Sequence, residues 1–357
     1  MAAPHSSEPT FGPLTAEELQ LAVRNHSMPL EALRNDITPP GLHYLLTHFD
    51  IPHVDANTWV LRIGGAVRHP LEMGMFALRA RPRISVPVTL ECAGNGRSLL
   101  RPRPLSQPWV LEAVGTAEWS GVPLAHLLEE AEVDPDAVEV VFTGADAGIQ
   151  GGVRHRYERS LPLSEAMRPD VVLAYRMNGQ PLPPQHGFPL RLVVPGWYGM
   201  ASVKWLQSIE VVTRPFGGFQ QSVAYRYQAG ADDVGRPVTR IRVRSLMVPP
   251  GIPDFFTRRR ILPHGPVMLR GRAWSGEGAV ERVEVGIDGK WIPAHLEEPS
   301  GPFAWSAWSL PWVADPGEHE LACRATDSTG AGQPLEQNWN YQGMGNNEVQ
   351  RVRVSVE

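Results

Sequence analysis

The chain is poor in cysteine, with 2 in 357 residues. Cys92 and Cys323 lie far apart in it, which excludes a disulfide scaffold and any Cys-rich zinc or iron–sulfur motif. No stretch approaches the roughly 20 consecutive apolar residues that a membrane helix needs. Positive charge is not in excess either: 33 Lys+Arg face 38 Asp+Glu, a net charge of −5, and no long basic run occurs. A general nucleic-acid binder is thereby excluded, and no membrane partner is expected. The opening MAAPHSSEPT lacks the positive and apolar regions of a secretory signal. The expected location is therefore cytoplasmic, or periplasmic for a chain whose export signal was trimmed. Walker A, dinucleotide-fingerprint and G-x-S-x-G patterns are all missing, as is any fixed-period repeat.

What is abundant is turn chemistry. Pro (35) and Gly (34) together approach a fifth of the chain, against a usual share of about 12%, which favours many short elements joined by turns. TAEELQLAV reads as a helix with Thr15 as its cap and Glu18 as the capping-box partner. Strands are predicted at WVLRIGG (59–65), ISVPVTLEC (84–92), VEVVFTG (138–144), LRLVVPG (190–196) and WLQSIEVVT (205–213). Short helices fit between them at 123–131 and 162–168, implying an α+β domain. After Pro215 the pattern becomes alternating, in TRIRVRSLM, VERVEVGID, HELACRATD and VQRVRVSVE. DGK (288–290) and GIP (251–253) supply turn signals, so the last ~120 residues read as a β-sandwich. A domain boundary is expected within 215–240, in an ordered linker.

Cys92 is the most informative residue. It ends an apolar strand and opens Cys92-Ala93-Gly94-Asn95-Gly96-Arg97, with glycines that allow close backbone approach and an arginine able to favour thiolate. On composition alone it equally reads as a packed core thiol. A cysteine-protease reading has no assignable His or Asn partner. The segment from His186 and Arg191 to Ser202-Val203-Lys204 suits a ligand with phosphate and fused-ring parts, and its alternative is an ordinary charged loop. His43, His48 and His53 recur at a spacing matching neither helix nor strand faces, which argues against a three-histidine metal site.

These pieces stand in one order. LECAGNGRS resembles the molybdenum-binding cysteine segment of the sulfite oxidase family, followed by Trp119–Leu124, Tyr157–Pro162, NGQPLPPQHGFPLRLVVPG and Ser202–Leu206. The C-terminal GRAWSGEGAVERVEVGIDGKW, ATDSTG and Asn338-Trp339-Asn340 resemble that family's immunoglobulin-like dimerisation domain. The resemblance implies three parts. Residues 1–45 would be a helical or extended segment, 46–228 a sulfite-oxidase-like molybdopterin-binding catalytic domain, and 229–357 an immunoglobulin-like β-sandwich dimerisation domain. It also implies that Cys92 ligates molybdenum through its thiolate, a soft ligand suited to that metal. His186, Arg191, Ser202, Val203 and Lys204 would hold the molybdopterin, with Tyr157, Ser160 and Asp146 contributing. Arg97, Trp109, His48 and Tyr225 would line the anion pocket.

The implied activity is oxygen-atom transfer on a small oxyanion such as sulfite. No haem motif is present, so electrons would pass to a separate electron-transfer protein, and the family implies a homodimer. Two departures bear on substrate. Leu46 and Gln342 stand where the family has arginines, which points also to another small substrate such as a sulfoxide; Gly96 replaces a third arginine. Arg24 or Arg34 is expected to fold over the pocket in compensation. A non-catalytic binding module is the reading from the C-terminal sandwich alone.

Overall fold

The structure, a computed structural model, describes residues 14–357. The opening decapeptide and the first part of the predicted N-terminal segment lie outside the described residues. Helix α1 (Ala16–Arg24) carries the predicted capping box. The Glu18 N–H donates to Thr15 Oγ1 at 3.2 Å and the Thr15 N–H to Glu18 Oε2 at 3.0 Å. Buried Glu18 also pairs with Arg103, which pins the helix to the following domain.

Two sheets build that domain. One has the order β2 (Leu71–Gly74), β1 (Val60–Gly65), β10 (Leu206–Val212), β5 (Glu139–Gln150), β6 (Val153–Pro162), with β1 and β10 parallel. The other runs β3 (Ile84–Glu91), β4 (Val114–Pro123), β7 (Val172–Met177), β8 (Gln180–Pro181), and β9 (Arg191–Val193) joins β7. The helices α2 (Met75–Arg79), α3 (Leu124–Ala131) and α4 (Leu163–Ala166) are short. The inner faces share a core of Leu61, Phe142, Leu127 and Leu192, none more than 1% exposed. β3 is an edge strand, where Pro87 is tolerated because it has no ladder bond to lose. Its outer edge is covered by the second domain, where the Phe303 carbonyl accepts from the Thr89 N–H at 2.8 Å.

Residues from Arg244 onward form two packed antiparallel-rich sheets of 4 and 6 strands. Their core holds Met247, Val285, Trp308, Leu321 and Val354. Asp288 and Gly289 both have positive φ, 50° and 82°, and join Ile287 to Lys290 as the two-residue turn that the Asp-Gly signal predicts.

Some predicted elements are shorter than their pattern. The 162–168 helix is only Leu163–Ala166, and the 190–196 strand only Arg191–Val193, because Pro195 and left-handed Gly196 end it. In TRIRVRSLM only Arg244–Met247 finds a strand partner. Its first half instead pairs with a loop of the first domain, the Ile241 N–H donating to the Gly196 carbonyl at 3.0 Å. Between the domains, α5 (Phe219–Ser222) and the paired segments Arg226–Tyr227 and Arg236–Pro237 form the ordered linker.

A cation-ringed cavity around Cys92

β3 ends at Glu91, and the chain then turns tightly through Cys92–Gly96. Asn95 knots this turn: its amide donates to Glu91 Oε1 (2.9 Å) and the Leu111 carbonyl (2.8 Å), and its oxygen accepts from the Ala113 N–H (3.1 Å). Both glycines are required. A Cβ on Gly94 would sit 2.7 Å from the Arg97 guanidinium, and Gly96 has φ +86° with Asn346 only 3.0 Å from its would-be Cβ.

The second domain clamps the same turn. The Gly345 N–H donates to the Ala93 carbonyl (2.6 Å), Asn346 Nδ2 to the Gly96 carbonyl (2.8 Å), and Arg97 Nε to the Gln342 carbonyl (2.9 Å). Glu91, 1% exposed, accepts from Arg244 Nη1 (2.7 Å) and Trp274 Nε1 (2.8 Å). The metal-loop candidate is therefore held by residues from both domains.

Cys92 faces a cavity between the two sheets. His48, Tyr157 and Tyr225 line it, together with Asp146, His186, Arg191, Ser202 and Lys204. The Tyr225 hydroxyl and His48 Nε2 are 2.8 Å apart, and the Tyr157 hydroxyl donates to the Met200 carbonyl at 2.7 Å. Four predicted residues are buried but do not form the wall. Arg97 lies beneath the turn, giving its protons to the Gln342 and Gln107 carbonyls and the Met344 sulfur. Trp109 packs in one cluster with Cys92 and its indole N–H acts on that thiol, Ser160 is buried with its hydroxyl unpartnered, and Val203 packs in the core.

The electrostatics have one theme. Arg191 donates to the carbonyls of His186 (3.0 Å) and Ser202 (3.2 Å), and Lys204 Nζ to those of Leu46 (2.7 Å) and Gln185 (3.2 Å). Among the described residues neither has a carboxylate within ion-pair distance, and nor has Arg97. Burial pulls Lys204 down to about 7 and Arg191 to about 10. Burial likewise holds His43, His48 and His186 neutral, at about 4, 3 and 2. Asp146, its Oδ1 unpartnered, is pushed up to about 6 by burial against the pull of Lys204. Burial raises the Cys92 thiol while Arg97 and the Gly94 N–H draw it back. A bound metal would deprotonate such a thiol outright. Cations without counter-ions, unpartnered His186 Nε2 and Asp146 Oδ1, and a thiol at the centre fit a phosphate-bearing pterin with a thiolate-ligated metal.

The compensating arginines are not there. Arg24 is tied to the Phe49 carbonyl (2.5 Å) and faces Asp50 on the exterior, and Arg34 is exposed with its carbonyl accepting from Arg272. Neither lines the cavity: Arg24 is held by partners of its own, and the Arg34 side chain is exposed. Leu46 is in the wall, whereas Gln342 spends its amide on the Val223 carbonyl and Gln228. Among the three spaced histidines, His43 and His48 line this cavity and His53 does not. Sequence reasoning passed over His43 and Tyr44 as site residues, and also Arg159. Arg159 was detectable in principle, since it sits two positions beyond Tyr157 on β6 and so shares its face.

Residues 48–220 match the oxidoreductase molybdopterin binding domain, and residues 236–357 the Mo-co oxidoreductase dimerisation domain. Mitochondrial sulfite oxidase of Homo sapiens is 33% identical over 99% of this chain and 68% of its own length. NADH nitrate reductase of Solanum lycopersicum is also 33% identical, over 93% of this chain but only 40% of its own length. The solved sulfane dehydrogenase SoxCD of Paracoccus pantotrophus superposes with TM-score 0.81 at 27% identity, covering 100% of this chain and 95% of that one. The chain belongs to the sulfite oxidase family of molybdopterin-dependent oxidoreductases. It is an enzyme, its cofactor is the molybdenum–molybdopterin group, and its second domain is of the dimerisation type. Among the described residues no helix is long and apolar enough to cross a membrane.

Proposed function

We propose that the enzyme oxidises sulfite to sulfate: sulfite gains an oxygen derived from water, and two protons and two electrons leave. The observation that carries this reading is a cavity holding Cys92 and Tyr225 with buried Arg191 and Lys204, Asp146 being the one carboxylate in its lining. When bound, the molybdenum group supplies oxygen-atom transfer and accepts the two electrons. Cys92 ligates the metal. Arg191, Lys204, His186 and Ser202 hold the phosphate end of the pterin, Tyr157 and Asp146 its ring system, and Ser160 and Val203 pack behind them. Arg97 and Trp109 back the turn and add positive field and an indole N–H. Tyr225, kept protonated by burial, presents its O–H to the substrate oxygens with neutral His48 as its partner.

Electrons leave one at a time to a separate acceptor protein, and the enzyme works as a homodimer through its C-terminal domain. Steady-state turnover of sulfite with an artificial one-electron dye tests the substrate. Sulfite inert beside an active sulfoxide or nitrate would sink the sulfite reading. A second reading, oxidation of a sulfane-sulfur substrate, is favoured by apolar Leu46 in the wall and by the likeness to a sulfane dehydrogenase along the whole chain. Sedimentation giving a single species of 39.4 kDa would overturn the dimer.

A further inference from the structure

Arg159 lies beside the cavity and serves none of the roles assigned above. It is 1% exposed on β6, on the face it shares with Tyr157. Its Nη1 donates to the Gln220 carbonyl of α5, and its Nε is buried with no partner. Among the described residues no carboxylate lies within ion-pair distance. Glu139, which acts on it from further away, uses its Oε2 to accept the Phe216 N–H at 2.9 Å. The guanidinium carbon sits 5.5 Å from the centroid of the Tyr225 ring, and of the two residues only Tyr225 lines the cavity.

Burying an unpaired charge is among the most expensive features a fold can carry. Arg191 and Lys204 carry the same expense, but they line the cavity directly and the phosphate-bearing cofactor answers them. Arg159 does not line the cavity, and the lining residue it sits against is Tyr225. An anion held beside Tyr225 in the cavity is the charge that would answer it at longer range.

We propose that Arg159 is a positioning residue of the substrate pocket: it supports the Tyr225 ring and supplies the long-range positive charge that draws a small oxyanion to the cavity beside that ring. The proposal rests on the oxyanion reading above and extends it to a residue that does not touch the substrate. Arg159 acts through the ring and through space, so its loss weakens anion binding without removing a hydrogen bond to the anion. A unit charge at such a separation changes an anion's affinity by roughly tenfold at the effective dielectric of a protein site.

The test uses the molybdenum-loaded enzyme, with sulfate as the probe. Thermal stabilisation by sulfate and the inhibition constant of sulfate against turnover are compared for wild type, Arg159→Met and Arg159→Lys. Arg159→Met should bind sulfate about tenfold more weakly and raise KM more than it lowers kcat. Its Tm without sulfate should be equal to or above wild type, because an apolar side chain replaces an unpaired buried cation. Arg159→Lys, which keeps the charge, should stay within about threefold of wild type. A purely structural residue predicts the reverse, with a lowered Tm in both variants and sulfate affinity unmoved; that result overturns the proposal. Arg159→Lys behaving like Arg159→Met overturns it as well, since charge would then be irrelevant. If sulfate neither stabilises nor inhibits wild type, the oxyanion reading fails and this proposal fails with it. Wild-type binding with an unaffected Arg159→Met removes Arg159 alone.

Discussion

The two cysteines sit in two domains and are equally hidden from solvent, yet their surroundings have little else in common. Cys92 is 6% exposed at the end of a strand, on a turn knotted by Asn95 and facing a cavity of neutral histidines and uncompensated cations. Cys323 is 0% exposed in the middle of Gly317–Asp327, inside the sandwich core, its thiol pushed up to about 12 by burial. Its nearest polar partner is Gln350, at 3.7 Å. Burial alone therefore does not make a ligand. A thiol becomes one where the strand has ended, the backbone has turned, and positive charge has been left unspent nearby.

The sharpest way to break this comparison is to replace both thiols. Cys92→Ser should lose more than about a thousandfold in turnover, roughly 4 kcal/mol in the transition state, together with the thiolate signature of the molybdenum spectrum. Cys323→Ser should keep metal content and turnover and show only a core penalty of about 1–3 kcal/mol in denaturant unfolding. Equal turnover losses in the two variants would erase the distinction drawn here.

The next largest effect concerns the junction between the regions. Arg244→Met leaves the Glu91 carboxylate, otherwise paired at 2.7 Å with both partners at most 2% exposed, without its cation. A loss of about 3–5 kcal/mol is expected, and the double variant Glu91→Gln/Arg244→Met should recover much of it. Additive losses in a double-mutant cycle would show that the pair does not tie the domains together.

Tyr225→Phe removes one hydroxyl from the cavity. A drop of about 10–100-fold in kcat/KM, with Tm and molybdenum content unchanged, is the expected result. An unaltered kcat/KM would take Tyr225 out of the chemistry.

The last expected effect, read one histidine at a time, is a pH dependence confined to the catalytic domain. His43, His48 and His186 have folded values of about 4, 3 and 2, below the usual 6.5, so the unfolded chain binds their protons first. Their neutral burial thus weakens the cofactor-free protein as pH falls below about 6.5, by about 2 kcal/mol per histidine at pH 5. Asp146, raised to about 6, works the other way and returns about 1 kcal/mol at pH 5, because the folded state takes up its proton first. Comparing unfolding midpoints at pH 7 and 5 for wild type and His43→Gln checks this. A His43→Gln variant with the full wild-type slope would count against it.

Much of the molecule was legible beforehand. The Thr15–Glu18 cap, the Asp288-Gly289 turn and the strand running into Cys92 depend on neighbours within a few residues, and local patterns report them well. Patterns overreached where pairing decides: Ile241 alternates like a strand residue but bonds to the Gly196 loop. Among the cavity residues, Cys92, His186, Arg191 and Lys204 stood out because glycine and charge cluster around them. His43 and Arg159 did not, since a buried neutral histidine and a cation against a ring look like ordinary polar residues until burial is known. Arg24 and Arg34 show the converse, arginines expected at the pocket of which one is bonded to the Phe49 carbonyl and the other is exposed.

The sequence by itself determined the ligand types, the order of the motif blocks and the turn chemistry, because these reside in single residues and short spacings. Only the tertiary structure decided which charges go unanswered. Glu91 meets Arg244 and the Cys92 turn meets Gly345 through the docking of two domains, and Arg159 reaches Tyr225 through the packing of β6 against the linker. A charge's energy depends on its distance to every other charge and on the water excluded between them, and the linear sequence does not record those distances.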